Sequence, residues 1–300
     1  TSLKDNPDYI KLSPDELKEK VKAAGIVGMG GAAFPTLVKL SPPKEKPIDT
    51  VIINGAECEP YLTADYRLML EKSAEIVEGL KILMRILGVN KGFIGIENNK
   101  PDAIEAMKQA ASKVRSSELG VQNIEVCGLE VKYPQGAEKM LISALTGREV
   151  PPRGLPMDIR VVVQNVGTAL AVYEAARYGK PLIERVVTVT GEGIKNPANL
   201  MVKIGALISD IVDQCGGFKD SAGKVVSGGP MMGFALSTLD VPVTKGTSGI
   251  LVIPEEGVVH TEEYGPCIRC GRCIDICPMG LTPSMLSILS EKGHYEDAKE

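Results

Sequence analysis

Thr50-Val-Ile-Ile-Asn54-Gly-Ala-Glu57-Cys58-Glu59-Pro60 joins a short apolar run to a polar, acidic turn. A run of this length rich in β-branched residues suits a buried strand. Open α/β sheets bind ligands beyond the carboxyl ends of their strands, which makes Asn54 and Glu57 candidate site residues. Working outward, Ile76, Leu80, Leu83 and Leu87 recur at helical spacing and mark one core-facing helix. Residues 92–96 form the next expected strand, again closed by polar residues (Glu97-Asn98-Asn99) and followed by a helix begun at Pro101. A strand over 124–126 leads through Tyr133-Pro-Gln-Gly136-Ala-Glu138 into a helix over 139–145. A strand over 159–163 then ends at Gln164-Asn165 before a helix over 168–178. This alternation predicts an α/β fold with a mainly parallel sheet.

Upstream, Ser13-Pro14-Asp15-Glu16 is a capping box, and the helix it opens runs to Ala24 before Gly25. Gly28-Met-Gly30-Gly31-Ala-Ala-Phe-Pro35 then leads into a helix over 35–40. Exposed amides in such a loop can cradle a phosphate or a flat ring. The loop follows a helix instead of a strand, so it is not a dinucleotide-binding fingerprint, and a tight helix–helix connection explains it equally well.

Downstream of Arg185 the texture changes to a strand over 186–191, a short helix over 205–215 and a turn at Gly228-Gly-Pro-Met-Met-Gly233, together a small α+β module. Met231 and Met232 could dock a partner, but filling the core is the commoner role for methionine. Residues 254–266 read as a linker.

The linker ends at Cys267-Ile-Arg-Cys270-Gly-Arg-Cys273-Ile-Asp-Ile-Cys277-Pro278, the spacing of a bacterial ferredoxin run for a [4Fe-4S] cluster. Structural zinc sites place a longer stretch between two Cys pairs, so iron–sulfur is preferred. In two-cluster ferredoxins the fourth cysteine ligates the other cluster, which leaves Cys267, Cys270 and Cys273 one ligand short. Cys58, Cys127 and Cys215 stand alone and read as small buried hydrophobes. The chain opens at Thr1 without Met and stops at Glu300 within a helical pattern, so a second cysteine run is expected beyond the end. Residues 283–289 are apolar enough to pack on a cluster.

With 300 residues, two or three domains are expected. A net charge of −4 with dispersed Lys and Arg excludes nucleic acid as a partner class. Seven cysteines, four of them in one metal run, fit a reducing compartment. No apolar stretch reaches the roughly 20 residues that span a bilayer.

A cluster moves single electrons, and a flavin is the usual bridge to a two-electron hydride donor. The physics of the residues leaves the flavin open. The segment from Gly25 to Lys39, Asn54 to Pro60, Gly228 to Gly233 and the cysteine run, in this order, closely resemble the C subunit of the Rnf ion-translocating electron-transport complex.

The resemblance implies a Rossmann-like FMN/NADH-binding α/β domain over 1–182, related to the flavoprotein subunit of respiratory complex I. It implies a β-grasp (SLBB-like) module over 183–253 and the start of a ferredoxin-like helical [4Fe-4S] segment over 254–300. It also implies that Gly28, Gly30 and Gly31 lie against FMN, that Lys39 meets its phosphate or ribityl chain, and that Asn54 and Glu57 line the isoalloxazine. Tyr133, Gly136 and Glu138 would position nicotinamide and flavin, with Glu57 and Glu138 closest to the chemistry. Asn165 with Thr168 would give a further phosphate contact, and Cys267, Cys270, Cys273 and Cys277 would hold iron. The complex I relative carries two adjacent acids where this chain has Ala137-Glu138, which bears on where NADH lies.

The activity implied is electron transfer between NAD(H), FMN and two [4Fe-4S] clusters in a ferredoxin:NAD oxidoreductase. Its partners would be other subunits of a membrane-bound complex, with ferredoxin met indirectly, and its place the cytoplasmic face of the cell membrane, peripherally bound. A soluble cobalamin reductase of the microcompartment type and a non-catalytic ligand-binding scaffold are the alternatives.

Overall fold

The computed structural model describes residues 3, 5–113, 123–258 and 265–299. The first sheet is built from β1 (Thr50–Gly55), β2 (Lys91–Glu97), β3 (Asn123–Leu129) and β4 (Val161–Asn165) in the spatial order β3-β2-β1-β4. All three pairings are parallel, as the alternation of strands and helices requires.

The period-two pattern of β1 splits the core between the two faces of the sheet. Val51 and Ile53 join a cluster with the helices α1 (Pro14–Ala23), α4 (Ser73–Leu87), α5 (Pro101–Ser112) and α7 (Val166–Tyr178). Ile52 points the other way, into a cluster with Leu141 and Ile142 of α6 (Glu138–Thr146). Ile76, Leu80 and Leu83 are fully buried in α4. That helix packs closest to α7 at Gly79, where a Cβ would lie 1.9 Å from the Ala169 carbonyl oxygen.

The α1 capping box forms as expected, with the Ser13 side chain accepting from the Glu16 amide and Glu16 accepting from the Ser13 amide. Among the differences from expectation, three bear on the geometry of the first sheet. β4 starts at Val161 instead of residue 159, because Pro156–Ile159 is a 3-10 turn and Arg160 has φ +66°. The following helix, α7, starts at Val166, since Asn165 caps it through its side chain. A separate helix, α3 (Ala64–Glu71), precedes α4 and is broken from it at Lys72, whose φ of −132° is not helical.

The second sheet is mixed and comprises β5 (Glu184–Thr190), β6 (Ala198–Lys203), β7 (Ala222–Ser227), β8 (Phe234–Ala235) and β9 (Gly249–Pro254) in the order β6-β5-β9-β7-β8. An antiparallel hairpin of β5 and β6, helix α8 (Ile208–Gln214) and a final strand parallel to β5 give the expected β-grasp arrangement. Its separate core includes Val187, Val189, Ile208, Ile211, Cys215, Ile250 and Val252. Met231 and Met232 do not fill this core: they are 52% and 71% exposed. The Glu59 carboxylate accepts from both of their amides, at 3.1 and 2.7 Å, and this ties the turn to the protein through its backbone while the side chains stay outside.

The chain divides into two compact units, Thr1–Gly257 and Val258–Glu300. The expected linker begins at the end of β9 with a 3-10 turn, Glu255–Gly257, and its residues 259–264 lie outside the described residues. The second unit holds α9 (Arg272–Asp275) and α10 (Pro283–Glu291), and α10 buries none of its residues. Among the described residues no helix is long and apolar enough to cross a membrane.

Candidate functional site

In the order β3-β2-β1-β4 the chain adds strands on one side of β1 and then reverses to the other. The crevice beyond the carboxyl ends of β1 and β4 is therefore the topological switch point where doubly wound sheets take ligands. Asn54 and Asn165 stand opposite each other in register at its floor.

The loop from Gly28 to Gly31, between α1 and the short helix α2 (Thr36–Lys39), is fastened to this edge. The Met29 amide donates to Thr168 Oγ1 at 3.0 Å, and that hydroxyl donates to the Val27 carbonyl at 3.3 Å. The Gly28 amide donates to the Phe34 carbonyl at 2.8 Å. A Cβ on Gly30 would lie 2.9 Å from Asn165 Nδ2, whereas one on Gly31 would meet nothing within 4 Å. Gly30 is thus required for close approach to the strand end, and Gly31 borders open space. Thr168 is fully buried and its hydroxyl is engaged within the protein, so it anchors the loop.

The opposite wall comes from the segment before α6. Asn54 Nδ2 donates to the Gly136 carbonyl at 2.8 Å, while its Oδ1 accepts from the Ala56 amide at 3.0 Å. The Gly136 amide donates to Cys58 Sγ at 3.2 Å. A Cβ at Gly136 would sit 2.3 Å from the Ala56 carbonyl oxygen, so glycine is needed for this strand-end contact. Tyr133 is exposed beside this segment. Lys39 and Glu138, expected to meet different parts of the ligands, are joined to each other: Lys39 Nζ donates to Glu138 Oε1 at 2.6 Å and to the Val163 carbonyl at 3.1 Å.

Glu57 turns toward the start of α3, where its two carboxylate oxygens accept from the amides of Asp65 and Tyr66 at 2.9 and 3.2 Å. A carboxylate suits this positive helix end. Burial nevertheless pushes Glu57 up to about 8, and the charge of Asp65 adds to the rise. Burial also raises Asp65, against the opposing hydrogen bond from Asn165 Nδ2 at 2.6 Å and the field of Arg185. Asn165 Oδ1 accepts from the Gly167 amide at 2.8 Å.

Asp65 and Arg185 were not among the sequence-derived candidates. An acid in the first turn of a helix could have flagged Asp65 had α3 been recognised. Nothing in the local pattern marks Arg185, which comes from the second sheet.

These residues fit a flavin. The loop has open space beside Gly31, and a lysine and polar strand ends stand at the same crevice. Two buried side-chain atoms, Thr36 Oγ1 and Gln164 Nε2, lack partners among the described residues, and they belong to α2 and β4, which flank it. The cysteine run gives a different result. Cys267, Cys270 and Cys273 are exposed and Cys277 is half-buried, and among the described residues no three Cys, His, Asp or Glu side chains stand together as a metal site requires.

Residues 21–174, which carry the strand ends, the glycine-rich loop and the segment before α6, match the Nuo51 FMN-binding domain. The chain belongs to the Nuo51 FMN-binding domain family. Residues 186–235 of this family member match the SLBB domain, in agreement with the β-grasp module. The expected kinship with ion-translocating complexes holds as well. The C subunit of the proton-translocating ferredoxin:NAD(+) oxidoreductase complex of Clostridium ljungdahlii is 56% identical over 293 residues, covering 98% of this chain and 62% of that protein. Its counterpart in Acetobacterium woodii, the C subunit of a Na(+)-translocating ferredoxin:NAD(+) oxidoreductase complex, is 48% identical over 285 residues, 95% of this chain and 62% of that one. This Nuo51-family chain therefore spans less than two thirds of either relative. The crystal structure of an NAD+-reducing [NiFe]-hydrogenase in the H2-reduced state shares the fold, with a TM-score of 0.69 and 22% identity over 83% of this chain and 48% of that one.

Proposed function

We propose that this chain passes electrons between NAD(H), FMN and [4Fe-4S] clusters as one of the subunits of a ferredoxin:NAD oxidoreductase coupled to ion translocation. Its partners are the other subunits of that membrane-bound complex, with ferredoxin reached indirectly, and its place is the cytoplasmic face of the cell membrane, held peripherally. Residues 1–182 serve as the FMN/NADH domain, 183–253 as the β-grasp module and 254–300 as the cluster-bearing segment. Family membership and the similarity to the C subunits of two bacterial ferredoxin:NAD(+) oxidoreductase complexes support this assignment.

The observation that carries it is the crevice itself: a switch point floored by Asn54 and Asn165, with an open-sided glycine at its rim. Gly28, Gly30, Gly31 and Lys39 would hold the phosphate and ribityl side of FMN, Asn54 and Glu57 its ring, and Tyr133, Gly136 and Glu138 the nicotinamide side. Asn165 and Thr168 keep the loop in place for this contact. Bound there, FMN supplies the exchange between two-electron and one-electron transfer. The chain's own part is to orient and to set charge. Glu138 holds the Lys39 ammonium at the crevice, and Glu57 presents a carboxyl that retains its proton near neutrality.

The cysteine run enters through its spacing alone. Fluorescence titration of this chain with FMN, followed by anaerobic mixing with NADH, is the test. One FMN bound per chain and bleached by NADH is expected. Binding no tighter than to an unrelated protein would leave a scaffold without redox activity.

A further inference from the structure

Two buried or half-buried cations of the β-grasp module reach into the glycine-rich loop of the other sheet. Arg185, only 6% exposed in β5, donates from one guanidinium nitrogen to the Met29 carbonyl at 3.1 Å and from another to the Lys245 carbonyl. Lys245 in turn donates to the Gly25 carbonyl at 2.6 Å, and its Nζ lies 2.9 Å from where a Cβ on Gly25 would be. The module thus holds the backbone at both ends of the stretch from Gly25 to Met29.

The contacts close into a ring. Met29 donates to Thr168 on α7, Asn165 caps α7 and packs against Gly30, Asn165 donates to Asp65, and the charge of Asp65 faces Arg185, which returns to Met29. Burying a guanidinium is costly unless its donors are satisfied. Here one is satisfied by the Met29 carbonyl of the loop that a ligand must meet, and the others by the Lys245 and Val186 carbonyls of the module itself. A planar fork can serve two carbonyls at once, which a lysine ammonium on a flexible stem does less well.

We infer that the β-grasp module sets the geometry of the flavin loop, with Arg185 as the positioning residue and Lys245 as its second anchor. The inference rests on the FMN assignment above and deepens it: affinity for the flavin is controlled from outside the FMN-binding domain. A buried positive charge held at this loop also favours the more electron-rich state of a ring bound beside it.

The test compares the parent chain with Arg185→Gln, Arg185→Lys and Lys245→Met by FMN titration, by midpoint potential of the bound flavin, and by amide hydrogen exchange of residues 26–33 without FMN. Arg185→Gln should bind FMN at least tenfold more weakly, exchange at least tenfold faster in 26–33, and shift the potential to more negative values. Arg185→Lys should restore the potential while recovering only part of the affinity, a pattern that a purely structural role would not give. FMN affinity within twofold of the parent, with unchanged exchange in 26–33, would overturn the inference. If Arg185→Gln does not fold, Lys245→Met decides: faster exchange and weaker binding support the inference, and unchanged values overturn it. If the parent binds no FMN, the flavin assignment fails by itself, and the exchange comparison still decides whether the module grips the loop.

Discussion

Gly30 and Gly31 are adjacent and chemically identical, yet one is pressed against Asn165 and the other borders open space. Gly31→Ala should therefore change stability by no more than about 0.5 kcal/mol, the usual range for substitutions without contacts, while weakening FMN binding by placing a methyl group where the ring or phosphate would lie. Thermal melts and FMN titration of the same preparation check both halves, and an unchanged FMN affinity would remove Gly31 from the site. Glu57 gives a pH prediction of definite sign. Its carboxyl, raised to about 8 in the folded chain from 4.5, holds a proton that the unfolded chain releases. Between those values the folded state binds more protons, so stability falls as pH rises, by at most roughly 1.4 kcal/mol per pH unit for one group. Glu57→Gln should flatten the decline between pH 5 and 8, leaving the part contributed by Asp65. A pH series of denaturant melts on both proteins measures it, and parallel curves would contradict the raised carboxyl.

At the scale of elements, the crevice exists because α7 begins at the very end of β4 and packs along α4. Gly79 allows that approach. In an open helix Gly→Ala would stabilise by about 1 kcal/mol. Here the new Cβ would lie 1.9 Å from the Ala169 carbonyl oxygen, so overpacking wins and Gly79→Ala should destabilise by about 1–3 kcal/mol. Chemical denaturation would show it, and a stabilised variant would mean that α4 and α7 are not in this contact. The apolar repeat of α4 was legible because its face is uniformly buried. The separate helix α3 was not, because its sequence runs on into α4 and the break at Lys72 is made by backbone dihedrals that no residue type there announces.

On the scale of the whole molecule, the two sheets of the first unit are sewn together by polar contacts. The Thr63 amide donates to Thr188 Oγ1 at 3.1 Å, Thr188 donates to Asn199 at 2.8 Å, and Glu59 holds the turn bearing Met231 and Met232. The cysteine run belongs to the other compact unit. In a chain that carries both cysteine runs, Cys270→Ser should remove the first cluster, spare the second and leave FMN affinity within twofold, as read by iron assay, EPR and flavin titration. Two-cluster ferredoxin logic further expects that Cys277→Ser spares the first cluster in a chain that carries both runs. Loss of all iron on Cys277→Ser would show that the four thiols serve one cluster.

The parallel α/β sheet was legible in the order of residues alone, because apolar periodicity of two and 3.6 residues is a local property that survives without neighbours. That order also determined where the polar strand ends fall and which residues form the glycine-rich loop, since glycine and proline act on their own backbone. How these parts are used depends on contacts made in the fold. Lys39 and Glu138 meet although 99 positions separate them, and Asp65 and Arg185 join the site from a helix and from a second sheet. Met231 and Met232 stand exposed on a turn whose amides are held by a carboxylate more than 170 residues away. Ion pairs and hydrogen bonds depend on distance in space, and for groups this far apart in the chain that distance is set by the packing of elements, which no local pattern encodes.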